Sequence, residues 1–322
     1  MSNRDVPPSP SEANEVLAPI TPLPTQFFQI PLRYTTYRWW RPIAETTVFV
    51  IGFVIFSVVV VVVVVATALA FGETTMGSLE SLSPDLTDLP TFVVAMVSLI
   101  VIIPAVFAAI GMVGKRPIGS IVSIWGTFRF RLFVQVTAIS VALYLVMVVG
   151  ILLTQPAYDP HFDVRALSLL ALIIFLVPFQ AAAEEIIFRG FLGQIIGSWT
   201  RSPALAILVP VPLFVLGHDY NWAGSVSIAA FAVCAGVLAW ATGGLEAPIA
   251  VHAVNNIVGL ALGAFGIVDA SDVDFTGASV LLDVGMSLAL TVLILMYVRR
   301  SSRRDDLGVP RLKFGRDLMQ AS

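Results

Sequence analysis

Charge is scarce in this sequence. Asp, Glu, Lys and Arg together make up 12% of the 322 residues, against roughly 25% in an ordinary soluble domain. Hydrophobic residues reach 57% and the mean hydropathy is +0.91, which excludes a soluble globular chain. Cysteine is nearly absent. Cys234 stands alone in an apolar run, so no intrachain disulfide can form and the thiol reads as a small core residue. The alternation of polar and apolar residues that marks a membrane barrel is also missing. The C-terminus, LMQAS, has no cysteine to prenylate. The opening residues, MSNRDVPPSPSEANEVLAPITPLP, lack the apolar core of a cleavable signal. A net charge of −3 gives no basis for a nucleic-acid partner.

What the chain has instead is apolar runs of about 20 residues, each long enough to cross a bilayer as a helix. The expected fold class is all-α, a polytopic membrane protein with a bundle of about eight transmembrane helices. Their expected limits are 46–71, 91–113, 132–154, 166–188, 203–217, 223–241, 246–265 and 278–298. The fifth is short and carries Pro210 and Pro212, so a kink is expected there. Residues 1–41 read as a disordered, proline-rich cytoplasmic tail, 42–300 as the membrane domain and 301–322 as a second cytoplasmic tail. YRWWRP, before the first span, reads as an interfacial anchor. The amphipathic stretch 117–131 reads as a segment lying at the interface.

The charges sort by side. Arg33, Arg38, Arg41, Lys115, Arg116, Arg129, Arg131, Arg201, Arg299, Arg300, Arg303 and Arg304 all fall on one side if there are eight spans. The opposite loops carry Glu73, Glu80, Asp85, Asp88, Asp159, Asp163, Asp269, Asp272 and Asp274, with only Arg165 against the trend. The positive-inside rule then places both termini in the cytoplasm. Arginine greatly outnumbers lysine and no organelle signal is present, which points to a bacterial plasma membrane.

The few ionisable residues within spans cluster. Glu184, Glu185 and Arg189 end the fourth, His218 ends the fifth, His252 and Asn256 lie in the seventh, and Asp283 starts the eighth. Glu185 and Arg189 are four apart on one helix face and can pair. Glu184 points about 100° away and is left over, a carboxyl suited to act as a general base. His252 and Asn256 are also four apart and can direct hydrogen bonds at one point, as an oxyanion site needs. His218 could orient a water beside Glu184. Asn255 points elsewhere and is the weaker candidate, Asp283 reads as a helix-packing or interfacial acid, and His161 as a solvated loop residue. The Glu185–Arg189 pair has an equally good reading as a purely structural ion pair.

Three motifs stand in order on separate spans: Glu184-Glu185-Ile-Ile-Phe-Arg189, Phe214-Val-Leu-Gly-His218 and His252-Ala-Val-Asn-Asn256. In these the chain resembles the CAAX protease and bacteriocin-processing (CPBP, or Abi) family, which includes the type II CAAX prenyl endopeptidases. The resemblance covers 165–265 and extends to GGLEAPIA before the third motif. It implies an intramembrane endopeptidase acting on a membrane-associated peptide or protein. Glu184 is then the base, His218 its partner, His252 and Asn256 the oxyanion site, and Glu185 and Arg189 supports. The site is expected to open toward the cytoplasmic half of the bilayer. His218 is followed by Asp219, a departure from the apolar context expected there. No HExxH occurs, so the single-helix zinc arrangement is absent. Glu184, His218 and His252 are the set a zinc ion would use, and metal-free glutamate chemistry is the preferred reading. Two other classes stand against it. One is a non-catalytic membrane scaffold or bacteriocin-immunity-type protein. The other is a proton-coupled transporter, for which no internal repeat speaks. Oligomeric state and substrate identity are not readable.

Overall fold

The apolar runs fold into helices whose ends are set by small polar residues. The structure is a computed structural model and describes residues 26–71, 87–154, 159–269, 276–300 and 306–310. The expected residues 1–25, the acids Glu73, Glu80, Asp85, Asp272 and Asp274, and Arg303 and Arg304 lie outside the described residues. The helices are α1 (Arg41–Phe71), α2 (Leu89–Ile100), α3 (Ile102–Ala109), α4 (Phe130–Thr154), α5 (Val164–Glu185), α6 (Gly193–Thr200), α7 (Pro203–Leu208), α8 (Val211–Leu216), α9 (Trp222–Thr242), α10 (Glu246–Ala264) and α11 (Gly277–Arg299). Asp163 accepts from the Ala166 amide to begin α5, and Asn221 from Gly224 to begin α9. Thr276 and Ser279 form a reciprocal capping box on α11. Each satisfies an amide that the first helical turn leaves unpaired.

The molecule is an all-α polytopic membrane bundle. Among the described residues seven helical stretches are long and apolar enough to span, and Pro203–Leu216 is a shorter apolar stretch. That shorter stretch is the expected fifth span. It breaks into α7 and α8 at Val209–Pro210, where proline cannot continue the helical ladder.

The expected fourth span ended at 188. The helix instead runs on through a π-helical segment, Ile186–Leu192, into α6, giving one apolar helix Val164–Thr200 of 37 residues. Arg189 does not mark the membrane exit because it is buried and paired. Glu184 and Glu185 therefore sit near the middle of this helix rather than at its end, and a π-segment beside them is common at functional sites.

Both expected tails need correcting at their inner edges. Residues Phe27–Arg33 form a 3₁₀ turn with Phe27, Phe28 and Ile30 buried. Phe28 lies so close to α6 that a Cβ on Gly197 would collide with its backbone. At the other end, Leu307 and Val309 are buried, and Gly308 O accepts from Trp125 Nε1 (2.8 Å) and Arg129 Nη1 (2.9 Å). Local apolar residues dock these pieces, so the order of the chain extends past its membrane spans. The 117–131 stretch is also more embedded than an interfacial strip. Ile121 and Ser123 are buried. Ile124 N donates to Gly243 O, and Leu245 N to Val122 O. Gly243 adopts φ +73°, where glycine is favoured, as it ends α9.

Helix α10 packs against α4 and α5, α9 against α10 and α11, and α2 against α5. Helix α1 packs along α3 and leaves Val58, Val59 and Val61–Val63 more than half exposed, a surface fit for lipid tails. The protected centre is thus the α4–α5–α9–α10–α11 group, and the polar residues collect there.

Candidate active site

Glu185 is fully buried and its Oε1 receives two hydrogen bonds, from Arg189 Nη1 (2.9 Å) and His252 Nδ1 (2.8 Å). Arg189 is held in turn. Its Nη2 donates to Ala232 O (3.1 Å), and its guanidinium stacks 4.5 Å from the Phe214 ring centroid. The i,i+4 pairing read from the sequence is therefore made. His252 adds a third member, with Nδ1 fixed toward a carboxylate and its ring packed edge-on against Phe231.

Glu184 is held differently. Its Oε1 accepts from Gln180 Nε2 (2.7 Å), one turn back on α5. Its Oε2 is buried without a hydrogen bond and lies 3.4 Å from His252 Nε2. His252 thus stands between the two glutamates, one ring nitrogen toward each.

A directed chain of hydrogen bonds leads to Glu184. Tyr144 O–H donates to Asn255 Oδ1 (2.6 Å), and Asn255 Nδ2 donates to Asn256 Oδ1 (2.9 Å). Asn256 Nδ2 donates to Gln180 Oε1 (3.1 Å), and Gln180 Nε2 donates to Glu184. Every donor points the same way, toward the carboxylate, so each bond polarises the next. The amide orientations follow from the network itself.

His218 follows α8 and donates Nδ1–H to Phe214 O (2.8 Å). Its ring lies 4.9 Å from that of Phe214 and 5.9 Å from that of Tyr220. Among the described residues no hydrogen bond or ion pair joins it to Glu184. It meets the others through a cavity of about 410 Å³ whose lining includes Gln180, His218, His252, Asn255, Asn256 and Asp283. Glu184 sits just behind this wall, in contact with Gln180 and His252.

Three expectations change. Asn255 does not point away from the site but links Tyr144 to Asn256. Asp283 lies on the cavity wall rather than only between packed helices. And much of the cavity lies toward the acid-bearing loops. Its lining residues Tyr144, Met147, Ser227, Ile228, Leu260, Asp283 and Met286 all belong to the half of each helix nearer the acid-bearing loops. His161 is exposed, with Nδ1 on Asp159 O, in a loop apart from the site. Gln180 and Tyr144 were not singled out from the sequence. Gln180 carried a signal, being four residues before Glu184 and so on its face. Tyr144 carried none.

Among the described residues no three His, Cys, Asp or Glu side chains converge as metal donors. His252 Nδ1 and His218 Nδ1 are bonded to Glu185 and Phe214 O, which leaves Nε2 of each ring as the nitrogen a metal would use, but Glu184, His218 and His252 are not drawn together as one donor set.

With this geometry, residues 166–258 match the family described as type II CAAX prenyl endopeptidase Rce1-like. The similarity covers this stretch. It runs from α5 to the middle of α10 and holds Gln180, Glu184, Glu185, Arg189, His218, His252 and Asn256, while Tyr144 and Asp283 lie outside it. A relative in Bacillus subtilis (strain 168), the uncharacterized protein YyaK, is 28% identical over 169 residues, 48% of this chain and 55% of that protein. The chain thus aligns with little more than half the length of this curated relative. No solved structure matches.

Proposed function

We propose that the protein is an intramembrane endopeptidase that hydrolyses a peptide bond of a membrane-associated substrate with a glutamate-activated water. The observation that carries this is Glu184 Oε2, buried without a hydrogen bond and 3.4 Å from His252 Nε2, behind the wall of a polar cavity inside the bundle. A buried acceptor left without a donor is costly, and water or substrate is what can complete it.

The chemistry follows from the partners. His218, with Nδ1 on Phe214 O, has Nε2 to accept a hydrogen bond from the water. Glu184 Oε2 takes one of its protons as the oxygen attacks the scissile carbonyl carbon. The carbonyl oxygen becomes an oxyanion. As an imidazolium, His252 donates Nδ1–H to Glu185 and has Nε2–H to give to that oxyanion, with the second Nδ2 hydrogen of Asn256 beside it. When the C–N bond breaks, Glu184 returns its proton to the departing amine. Arg189 and Glu185 do not touch the reacting atoms. They fix the His252 ring. Water is activated here by Glu184 and not by a metal ion; stoichiometric zinc that restores activity to metal-stripped protein would overturn this step.

Comparative terminal proteomics of membranes carrying the wild type or Glu184→Ala tests the reading. New peptide termini should occur only with the wild type, while both proteins insert equally. Equal sets of termini would refute proteolysis, and full complementation of a deletion by Glu184→Gln would favour a non-catalytic role.

A further inference from the structure

The reaction above leaves one carboxylate of the cavity unused. Asp283, on the second turn of α11, lines the cavity together with Ser227 of α9 and Ser287, one turn further along α11. Among the described residues it makes no ion pair, and no Lys or Arg lines the cavity. Ser227 is 6% exposed, and its hydroxyl oxygen is buried without a hydrogen-bond partner. Asp283 and Ser227 face each other across the α9–α11 contact, but no hydrogen bond of ordinary geometry joins them. A purely structural acid would be tied into that contact. Here a costly intramembrane carboxylate borders open space, with an unsatisfied hydroxyl buried behind it.

Their surroundings fit one kind of guest. Met147 and Met286 also line the cavity. These are adaptable apolar surfaces along which an aliphatic stem can lie while its charged head reaches an acid. Tyr144 and Tyr220 both lie within electrostatic reach of Asp283, so the carboxylate stands close to the hydrogen-bond chain that ends on Glu184. We infer that Asp283 and Ser227 form a subsite for a cationic side chain, lysine or arginine, of a peptide bound near the scissile bond. This rests on the peptidase reading, yet it concerns α11, which lies outside the stretch matched by the family.

The test uses the purified full-length chain in detergent, with Glu184→Gln to prevent turnover. Short Leu/Ala peptides carrying one central Lys, norleucine or Glu are the probes. The Lys peptide should bind about tenfold more tightly than the norleucine peptide, as a charge-assisted hydrogen bond warrants. Asp283→Asn should collapse that ratio, and Asp283→Lys should reverse it in favour of Glu. A ratio between peptides is insensitive to how much of a variant folds. Equal binding of all three peptides, an unchanged ratio in Asp283→Asn, or no binding at all overturns the subsite. Cleavage by the wild type is read separately on the norleucine peptide. Cleavage without charge preference removes the subsite alone, whereas charge preference without cleavage removes the peptidase reading alone.

Discussion

Arg129–Glu246 and Arg189–Glu185 are arginine–glutamate pairs at different depths of the bundle, and they are built on opposite plans. Arg129 and Glu246, at the basic end, satisfy each other completely. Glu246 Oε1 accepts from Arg129 N and Nε (both 2.9 Å) and Oε2 from Nη2 (2.6 Å), while Arg129 Nη1 donates to Thr242 O and Gly308 O. The pair ties the start of α10 to the 117–131 segment and to the returning C-terminal residues. The Arg189–Glu185 pair, near the middle of the long helix, is left incomplete. Glu185 Oε2 and its neighbour's Glu184 Oε2 are both buried without a hydrogen bond. A saturated pair can only hold structure. An unsaturated one beside a cavity has lone pairs still to use, and its geometry is fixed by groups that do not themselves react.

The sharpest way to break that contrast is one substitution in each region. Glu184→Gln keeps the shape of the side chain and its bond from Gln180 but removes the proposed base. It should lower kcat by roughly 10²–10⁴-fold and leave the unfolding temperature in detergent nearly unchanged. Glu246→Gln should do the reverse. Its amide turns an N–H toward the Arg129 fork and leaves the guanidinium without its counter-charge, a loss of about 3 kcal/mol for a broken buried pair. The unfolding temperature should fall, while cleavage per folded molecule stays as in the wild type. If both variants lost activity and stability alike, the two pairs would not differ in kind.

The sequence made the bundle, the break at the fifth span and the local pairs legible for physical reasons. Apolar length reports spans directly, proline interrupts a ladder wherever it occurs, and residues four apart share a helix face whatever surrounds them. Glu185–Arg189 was readable on that ground alone. Hydropathy misled at Arg189. A charge normally signals the membrane edge, but here Glu185 and Phe214 accommodate it and the helix continues to Thr200. Contacts between helices were out of reach. Nothing local says that Tyr144 on α4 meets Asn255 on α10, or that His252 turns one nitrogen to each glutamate. Phe27 and Phe28 lay in a tail whose overall composition is that of disorder, and only the groove over Gly193 and Gly197 makes sense of burying them.

The hydrogen-bond chain gives two graded tests of the unsaturated region. Gln180→Leu removes the donor to Glu184 Oε1 and the acceptor for Asn256 at once, leaving buried polar atoms orphaned on both sides. It should cost kcat about 10–100-fold, the penalty of a hydrogen bond to a charged group, in single-turnover assays. Tyr144→Phe acts at the far end and should act more weakly. It deletes one hydroxyl, keeps the ring on the cavity wall, and leaves Asn255 Oδ1 without its donor. A neutral hydrogen bond contributes about 0.5–1.5 kcal/mol, which corresponds to a fall in kcat of roughly 2–12-fold. If the chain serves to orient Glu184 through Asn255, Asn256 and Gln180, that fall appears in kcat with KM unchanged. If Tyr144 is only a wall of the cavity, KM moves and kcat does not. The polar network would then stop at Asn255, with the reactive geometry set wholly within α5 and α10.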